Sequence, residues 1–367
     1  MAHNGGHASL AAARLQGAPR PNGSVRRKEW RPGSVGPHAG TVDTTATIAA
    51  WGLRRPTPAD APALLALCHA DESAAIGRAV TTRAEVDELL APAHTRLDAD
   101  QWVAVDIQRG LPVGWAILWD HGGSDHQDVD VYRDPGRCGE DLRGALLDLA
   151  LVRLAERARE SSYPMMHASA GAFADDITYQ ATLVSRGFEH ARTYHRMRMD
   201  LTRPLRVAVP TGVEVLPFDD GERSRRAFHR VVEESFVDHF GYTRIAYADY
   251  WADADAEPAP DREFWRVAIA DGSLIGVSKA SGRNAELGGG YVAELAVLAS
   301  HRGRGVATAL LASTFEAYRQ AGRTWGGLTV DTENTTGALS LYTAMGMAPT
   351  EQVFEHVREV APATGST

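Results

Sequence analysis

Residues 145–160, ALLDLALVRLAERARE, and residues 309–322, ALLASTFEAYRQAG, are two versions of one helical pattern, and each holds the same place in a longer series. A chain that repeats itself at a spacing of about 160 residues folds as two similar units, each burying its own core. Arg55-Pro-Thr-Pro-Ala-Asp60 precedes an apolar helix in one half, and Val215-Leu-Pro-Phe-Asp-Asp220 does so in the other. Trp102 in QWVAVDIQRGLPVGWAIL is placed like Trp265 in FWRVAIADGSLIGVS. Both stretches are two short strands about a Gly- or Pro-containing turn, the pattern of a hairpin. LVSRGFEH (183–190) and YTAMGMAP (342–349) each end a helix with glycine where a left-handed residue is needed. Between the halves lies Arg203-Pro-Leu-Arg-Val-Ala-Val-Pro210, whose prolines favour extended chain. Each half thus reads strand, helix, hairpin, strand, Gly-rich turn, helix, strand, helix, strand, which is an α/β layer on a mixed sheet.

With 367 residues the chain has room for two domains and a tail. A net charge of −9 argues against a nucleic-acid or anionic-membrane partner. No apolar run reaches the roughly eighteen residues of a membrane span. Cys68 and Cys138 stand in unrelated contexts, which suits a reducing cytoplasm, and the fourteen histidines are scattered, so no metal is expected. Residues 1–47 differ in kind: rich in Gly, Pro, Ala and Arg, with six basic against two acidic residues, they read as a disordered basic tail. Arg26-Arg27 is followed by no apolar stretch, so an export signal does not fit. A short tail is also expected at 362–367.

The second half carries the more informative turn. Tyr291-Val-Ala-Glu-Leu-Ala-Val-Leu298 is strand-like, and Arg302-Gly-Arg-Gly305 then leads into a helix with apolar positions Val306, Leu310, Phe315 and Tyr318. The first N–H groups of a helix lack intrahelical partners, and the helix dipole favours an anion there. Glycine lets a phosphate reach the backbone and arginine adds charge-assisted bonds, so a diphosphate is the natural guest.

These residues resemble the GNAT superfamily of acyl-CoA N-acyltransferases. Its pyrophosphate motif, R-x-x-G-x-G/A, is matched by Arg302-Gly-Arg-Gly305-Val-Ala307, although Ala299 stands where the family often has proline. A second family motif is matched by Asn334, Ala338, Leu341-Tyr342 and Gly346-Met347. The resemblance implies two tandem GNAT-type domains, each a mixed, mostly antiparallel sheet flanked by helices. Residues 48–203 would be a degenerate copy and 210–361 the catalytic one, an arrangement similar to mycothiol synthase. It implies acetyl-CoA or another acyl-CoA as co-substrate and a small-molecule or peptide amine as acceptor, in a monomer or homodimer. Arg302, Gly303, Arg304, Gly305, Val306 and Ala307 would hold the diphosphate, and the backbone of Leu295, Ala296 and Val297 would pair with the pantetheine amides as an added strand does. Asn334 would bond the pantetheine arm, N-cap the next helix, or both.

N-acylation needs a neutral amine, and an alkylamine with a pKa of about 10.4 is neutral in only about 1 molecule in 2,500 at pH 7. A base or a water relay is therefore useful. Glu294, on the strand ahead of the turn, is the first candidate. Thr329, where some relatives carry the base, cannot serve, and Asp331 is the reserve. Tyr342 is the candidate acid, since a phenol can reprotonate the departing thiolate. Glu234, Asp238, His239, Tyr242 and Trp251 lie in a stretch rich in aromatics and carboxylates, readable either as recognition of a cationic amine or as ordinary surface.

In the first half Cys138, Gly139, Glu140 and Asp141 align with Arg302 to Gly305, and Leu183 with Tyr342. Two carboxylates would face a diphosphate there, so this copy is expected to bind no CoA in the usual way. A transferase using a longer or carrier-bound acyl donor, and a non-catalytic acyl-CoA sensor, are the alternatives.

Overall fold

The structure is a computed structural model that describes residues 44–91, 96–120, 125–161, 163–205, 208–237, 244–257, 261–333 and 337–363. In chain order the first half runs α1 (Thr44–Ala49), β1 (Gly52–Arg54), α2 (Ala61–Ile76), α3 (Arg83–Leu89), β2 (Gln101–Val105), β3 (Pro112–Asp120), β4 (His126–Arg133), α4 (Glu140–Glu160), β5 (Met166–Phe173), α5 (Ile177–Ser185) and β6 (Glu189–Asp200). The second runs β7 (Glu214–Pro217), α6 (Glu222–Phe236), α7 (Tyr247–Ala256), β8 (Arg266–Ala270), β9 (Ser273–Ser281), β10 (Gly289–Val297), α8 (Val306–Gln320), β11 (Trp325–Asp331), α9 (Ala338–Ala344) and β12 (Ala348–Val360). This is the order the repeat predicts, with two helices in place of one ahead of each hairpin. Gly187 and Gly346 end α5 and α9 at φ of 77° and 93°, the left-handed conformation that glycine alone adopts without cost. Residues 44–47 of the expected tail lie in α1, and residues 1–43 and 364–367 lie outside the described residues.

Two compact units divide the described chain, residues 44–191 with 354–363 and residues 192–353. In the first unit β1 to β4 pair antiparallel in sequence order, β5 joins β4 in parallel, and the end of β12 follows β5. Ser169 of β5 donates to Glu355 of β12 at 2.6 Å. Strand β3 is buried on both faces: Ala116 and Leu118 join the leucines of α4, whereas Trp115, Ile117 and Trp119 join α2 and α3. A strand covered by helices on both sides reads as a continuous apolar run, which VGWAILW is.

In the second unit β7, β8, β9 and β10 pair antiparallel, β11 lies parallel to β10, and residues of β6 pair antiparallel with β11. Each sheet is therefore mixed and mostly antiparallel, flanked by helices, as the resemblance implies. The units divide at other places than the proline-bearing linker. Residues 192–200 of β6 count with the second unit and residues 354–360 of β12 with the first, because those strands find their ladder partners there.

Helix α8 packs down on the second sheet through Val306, Leu310, Phe315 and Tyr318, the four positions its period predicts, all buried. The close approach needs glycine beneath it. A Cβ on Gly290 would stand 2.3 Å from Tyr318, and one on Gly326 would stand 2.7 Å from Phe315. No helix of the described residues is long and apolar enough to cross a membrane.

Candidate active site

The site begins where two parallel strands part. Gly289, Gly290 and Tyr291 of β10 pair with Trp325, Gly326 and Gly327 of β11. Beyond them a cavity of about 320 Å³ opens, with Val292 and Leu295 to Val297 on one wall and Leu328 to Asp331 on the other. A bulge between Val292 and Glu294 shifts the register of β10 against β9 at this point. Bulges bend a strand and re-aim its side chains, and here the bent strand leaves its parallel neighbour.

The turn after β10 closes one end of the cavity. Gly303 and Gly305 sit at φ of 71° and 82°, so their conformation, rather than any crowding, requires glycine. The first hydrogen bond within α8 runs from Ala309 N–H to Gly305 O. The N–H groups of Val306, Ala307 and Thr308 thus have no intrahelical partner, and all three residues line the cavity. This is a concave, apolar pocket with a helix N-terminus at its end, suited to a long ligand with an anionic terminus.

The two arginines of the turn differ. Arg302 donates from Nε to Val297 O at 3.1 Å and from Nη2 to Ser235 O at 2.8 Å, tying the end of β10 to the last turn of α6. Arg304 is exposed and makes no hydrogen bond or ion pair among the described residues.

Tyr342 of α9 lines the cavity with Ala338 and Leu341. Burial pushes its phenol above the ordinary value, so it stays protonated, and its hydroxyl has no hydrogen-bond partner among the described residues. Glu294 stands between two lining residues, Ala293 and Leu295, and its own carboxylate is taken up by neighbours. The Tyr250 hydroxyl of α7 donates to Oε2 at 2.9 Å, and Lys279 Nζ of β9 lies 3.4 Å from Oε1. Asp331 lines the cavity while its Oδ1 accepts from Glu333 N–H at 2.8 Å. Thr329 also lines it, 3.2 Å from the Tyr291 hydroxyl.

Asn334 lies outside the described residues, as do Asp238, His239 and Tyr242. Glu234 is exposed, 3.6 Å from Arg230. Trp251 belongs to the core, its ring centroid 5.8 Å from that of Phe218 and with Arg225 over its face at 4.5 Å. Sequence reasoning missed Tyr250 and Lys279. They meet Glu294 through a helix contact and through the register Glu294↔Lys279, and neither shows as a motif.

In the first unit the corresponding turn is occupied by the chain's own side chains. Arg133 Nε donates to Glu140 Oε1 at 2.7 Å. Arg143, almost completely buried, donates to Asp176 at 2.8 Å and to Asp71, with the Tyr179 ring 4.6 Å from its guanidinium carbon. Glu140 and Asp141 stand in the first turn of α4, where their charge satisfies the helix dipole that a phosphate would otherwise meet. Elsewhere in that unit Asp125, His126 and His167 bring possible metal-ligand atoms within 4.8 Å of one another. The two imidazoles stack face to face at 4.4 Å and 10°, so their ring planes run alongside each other without converging on a common point.

Comparison with known proteins adds the family. Residues 227–347 match the Acetyltransferase (GNAT) family. Curated proteins contain no match to the sequence. Among solved structures, a GCN5-related N-acetyltransferase from Sphaerobacter thermophilus is similar with a TM-score of 0.74 and 24% identity, over 86% of this chain and 97% of that one. A tandem GNAT protein from the clavulanic acid biosynthesis pathway has a TM-score of 0.66 and 18% identity, over 86% of this chain and 100% of that one. Residues 227–347 therefore match the GNAT acetyltransferase family, and the chain shares the fold of solved GNAT structures, one of them a tandem protein.

Proposed function

We propose that the second unit moves an acetyl group from acetyl-CoA to the primary amine of a small metabolite or peptide. The observation that carries this reading is the parting of β10 from β11 over a pocket that ends at an open helix N-terminus. A pantetheine arm laid between the strands would bond the backbone of Leu295 to Val297 along the gap. Its diphosphate would rest on the N–H groups of Gly303 to Ala307, with Arg304 as the free cation. Glu294 takes a proton from the acceptor ammonium, directly or through water. The amine nitrogen then bonds to the thioester carbon as the C–S bond breaks, and the Tyr342 hydroxyl gives its proton to the leaving thiolate. The amine's second proton restores Tyr342 through solvent. Both cysteines are free thiols, consistent with work in a reducing cytoplasm.

Calorimetric titration with acetyl-CoA tests the binding half. One site per chain is expected, abolished by Gly305→Glu, which puts a strained backbone and a carboxylate where the diphosphate would lie. Two sites would mean that the first unit also binds, and no site would favour a longer or carrier-bound donor. A panel of primary amines, followed by thiol release, then tests transfer. Tyr342→Phe is expected to slow turnover about a hundredfold with acetyl-CoA affinity unchanged. Binding without turnover on any amine would leave an acyl-CoA sensor.

A further inference from the structure

Lysine is almost absent from this chain. Of 38 basic residues 36 are arginine, and the two lysines are Lys28 and Lys279. Lys28 lies outside the described residues, so every other lysine or arginine described is an arginine. The exception is a largely buried residue, 14% exposed, beside the carboxylate assigned above as the base.

Its surroundings suit an ammonium and little else. Lys279 Nζ lies 5.4 Å from the Tyr250 ring centroid and 5.5 Å from that of Trp265, with Glu294 Oε1 at 3.4 Å. An ammonium is a compact point charge that fits between two ring faces, whereas a guanidinium is a planar fork of five donors that would need partners at its rim. Tyr250 serves both groups: its ring flanks the ammonium and its hydroxyl donates to the other carboxylate oxygen at 2.9 Å. Each oxygen of Glu294 is thus held by a different element, β9 on one side and α7 on the other.

We propose that Lys279 is the positioning residue of Glu294, holding its carboxylate in one orientation so that it can accept the proton of the acceptor amine. The inference rests on the reading of Glu294 as the base. Burial alone would lower the Lys279 pKa, but Glu294 and Glu257 outweigh it and raise it, so the ammonium persists at working pH. Other charged or titratable groups surround the pair. Arg283, in the short helix after β9, opposes the ammonium. On α6 His229 lies 5.3 Å from the Tyr250 ring, with Glu233 3.9 Å from its Nε2. Tyr318 of α8 spends its hydroxyl on Tyr291 O at 2.8 Å, and β11 offers Asp331 to the cavity. Among the contacts described, the cation on the Glu294 carboxylate itself is that of Lys279.

The scarcity of lysine makes the test direct. Full-length protein carrying lysine labelled with carbon-13 at Cε gives two resonances, and the one lost in Lys279→Met is Lys279. Its titration midpoint is expected to fall by about one pH unit or more in Glu294→Gln, since the opposite charge is then gone. A midpoint indifferent to that change overturns the proposal. The second arm is the pH profile of kcat/KM for the most active amine of the panel. Lys279→Met removes the opposite charge beside the base, so it should displace the acid limb of that profile while acetyl-CoA affinity stays as in the parent. A Lys279→Met protein that still binds one acetyl-CoA and keeps the parent limb also overturns it, whether or not its rate falls. If no amine turns over, the transfer reading itself has failed, and the resonance arm still decides whether Lys279 is governed by Glu294.

Discussion

Arg302 and Arg304 stand two residues apart in one turn and do different work. Arg302 spends its guanidinium on two backbone carbonyls, so it builds the turn, whereas Arg304 is free to meet a ligand. Replacing Arg304 by Ala removes a charge-assisted bond of about 1.5–3 kcal/mol, so the Kd for acetyl-CoA is expected to rise about ten- to a hundredfold with the melting temperature unchanged. Replacing Arg302 should lower the melting temperature as well, and scanning calorimetry beside the binding titration separates the two. The motif was legible in the sequence as arginine and glycine at fixed spacing. The division of labour was not, because it depends on where the carbonyls of Val297 and Ser235 come to rest. Glu294 was likewise visible as a carboxylate on the strand ahead of the turn, while its partners come from a helix and a neighbouring strand.

At the level of elements the sequence reading was fullest, since period and turn chemistry are local. Apart from the second helix ahead of each hairpin, the order of strands and helices, the hairpins at Trp102 and Trp265, the buried stripe of α8 and the left-handed glycines after α5 and α9 follow from short-range pattern. What stayed hidden was register: the bulge in β10, the point where β10 leaves β11, and the pairing of β6 with β11. Those features arise from how a strand meets a partner far off in sequence, and no residue type announces them. The glycines beneath α8 show the cost of closeness. Gly326→Ala is expected to destabilise the second unit by about 1–3 kcal/mol, as overpacking does, since its Cβ would press on the Phe315 ring at 2.7 Å. Urea unfolding checks it, and a cost near zero would mean that the helix can lift off the sheet freely.

For the whole molecule, two units of one plan differ at one turn, which is open in the second and filled in the first. The filled turn brings three carboxyls, on Asp71, Asp176 and Glu140, to two guanidiniums, on Arg143 and Arg133. One acid is in excess, and burial pushes Asp71 up to about 7 although Arg143 opposes it. A carboxyl raised in the folded state lends stability below its ordinary pKa of about 4 and loses it as pH climbs through about 7. The parent should therefore lose unfolding free energy between pH 5 and 7.5 relative to Asp71→Asn, whose amide stays neutral throughout. Parallel pH dependences in denaturant unfolding would show that Asp71 is ionised beside Arg143 across the range.

The parted strands have a thermodynamic consequence. β10 and β11 are zipped over three residue pairs and then leave an internal edge of the sheet without its neighbour. A donor that fills this gap is in effect the missing strand, so its binding energy is also folding energy. At a hundred times its Kd it would add about 2.7 kcal/mol to the stability of the second unit, a large part of what holds a domain of this size together. Resistance to unfolding in the second unit would then rise and fall with the acyl-CoA supply, while the first unit, its turn already full, would keep its own.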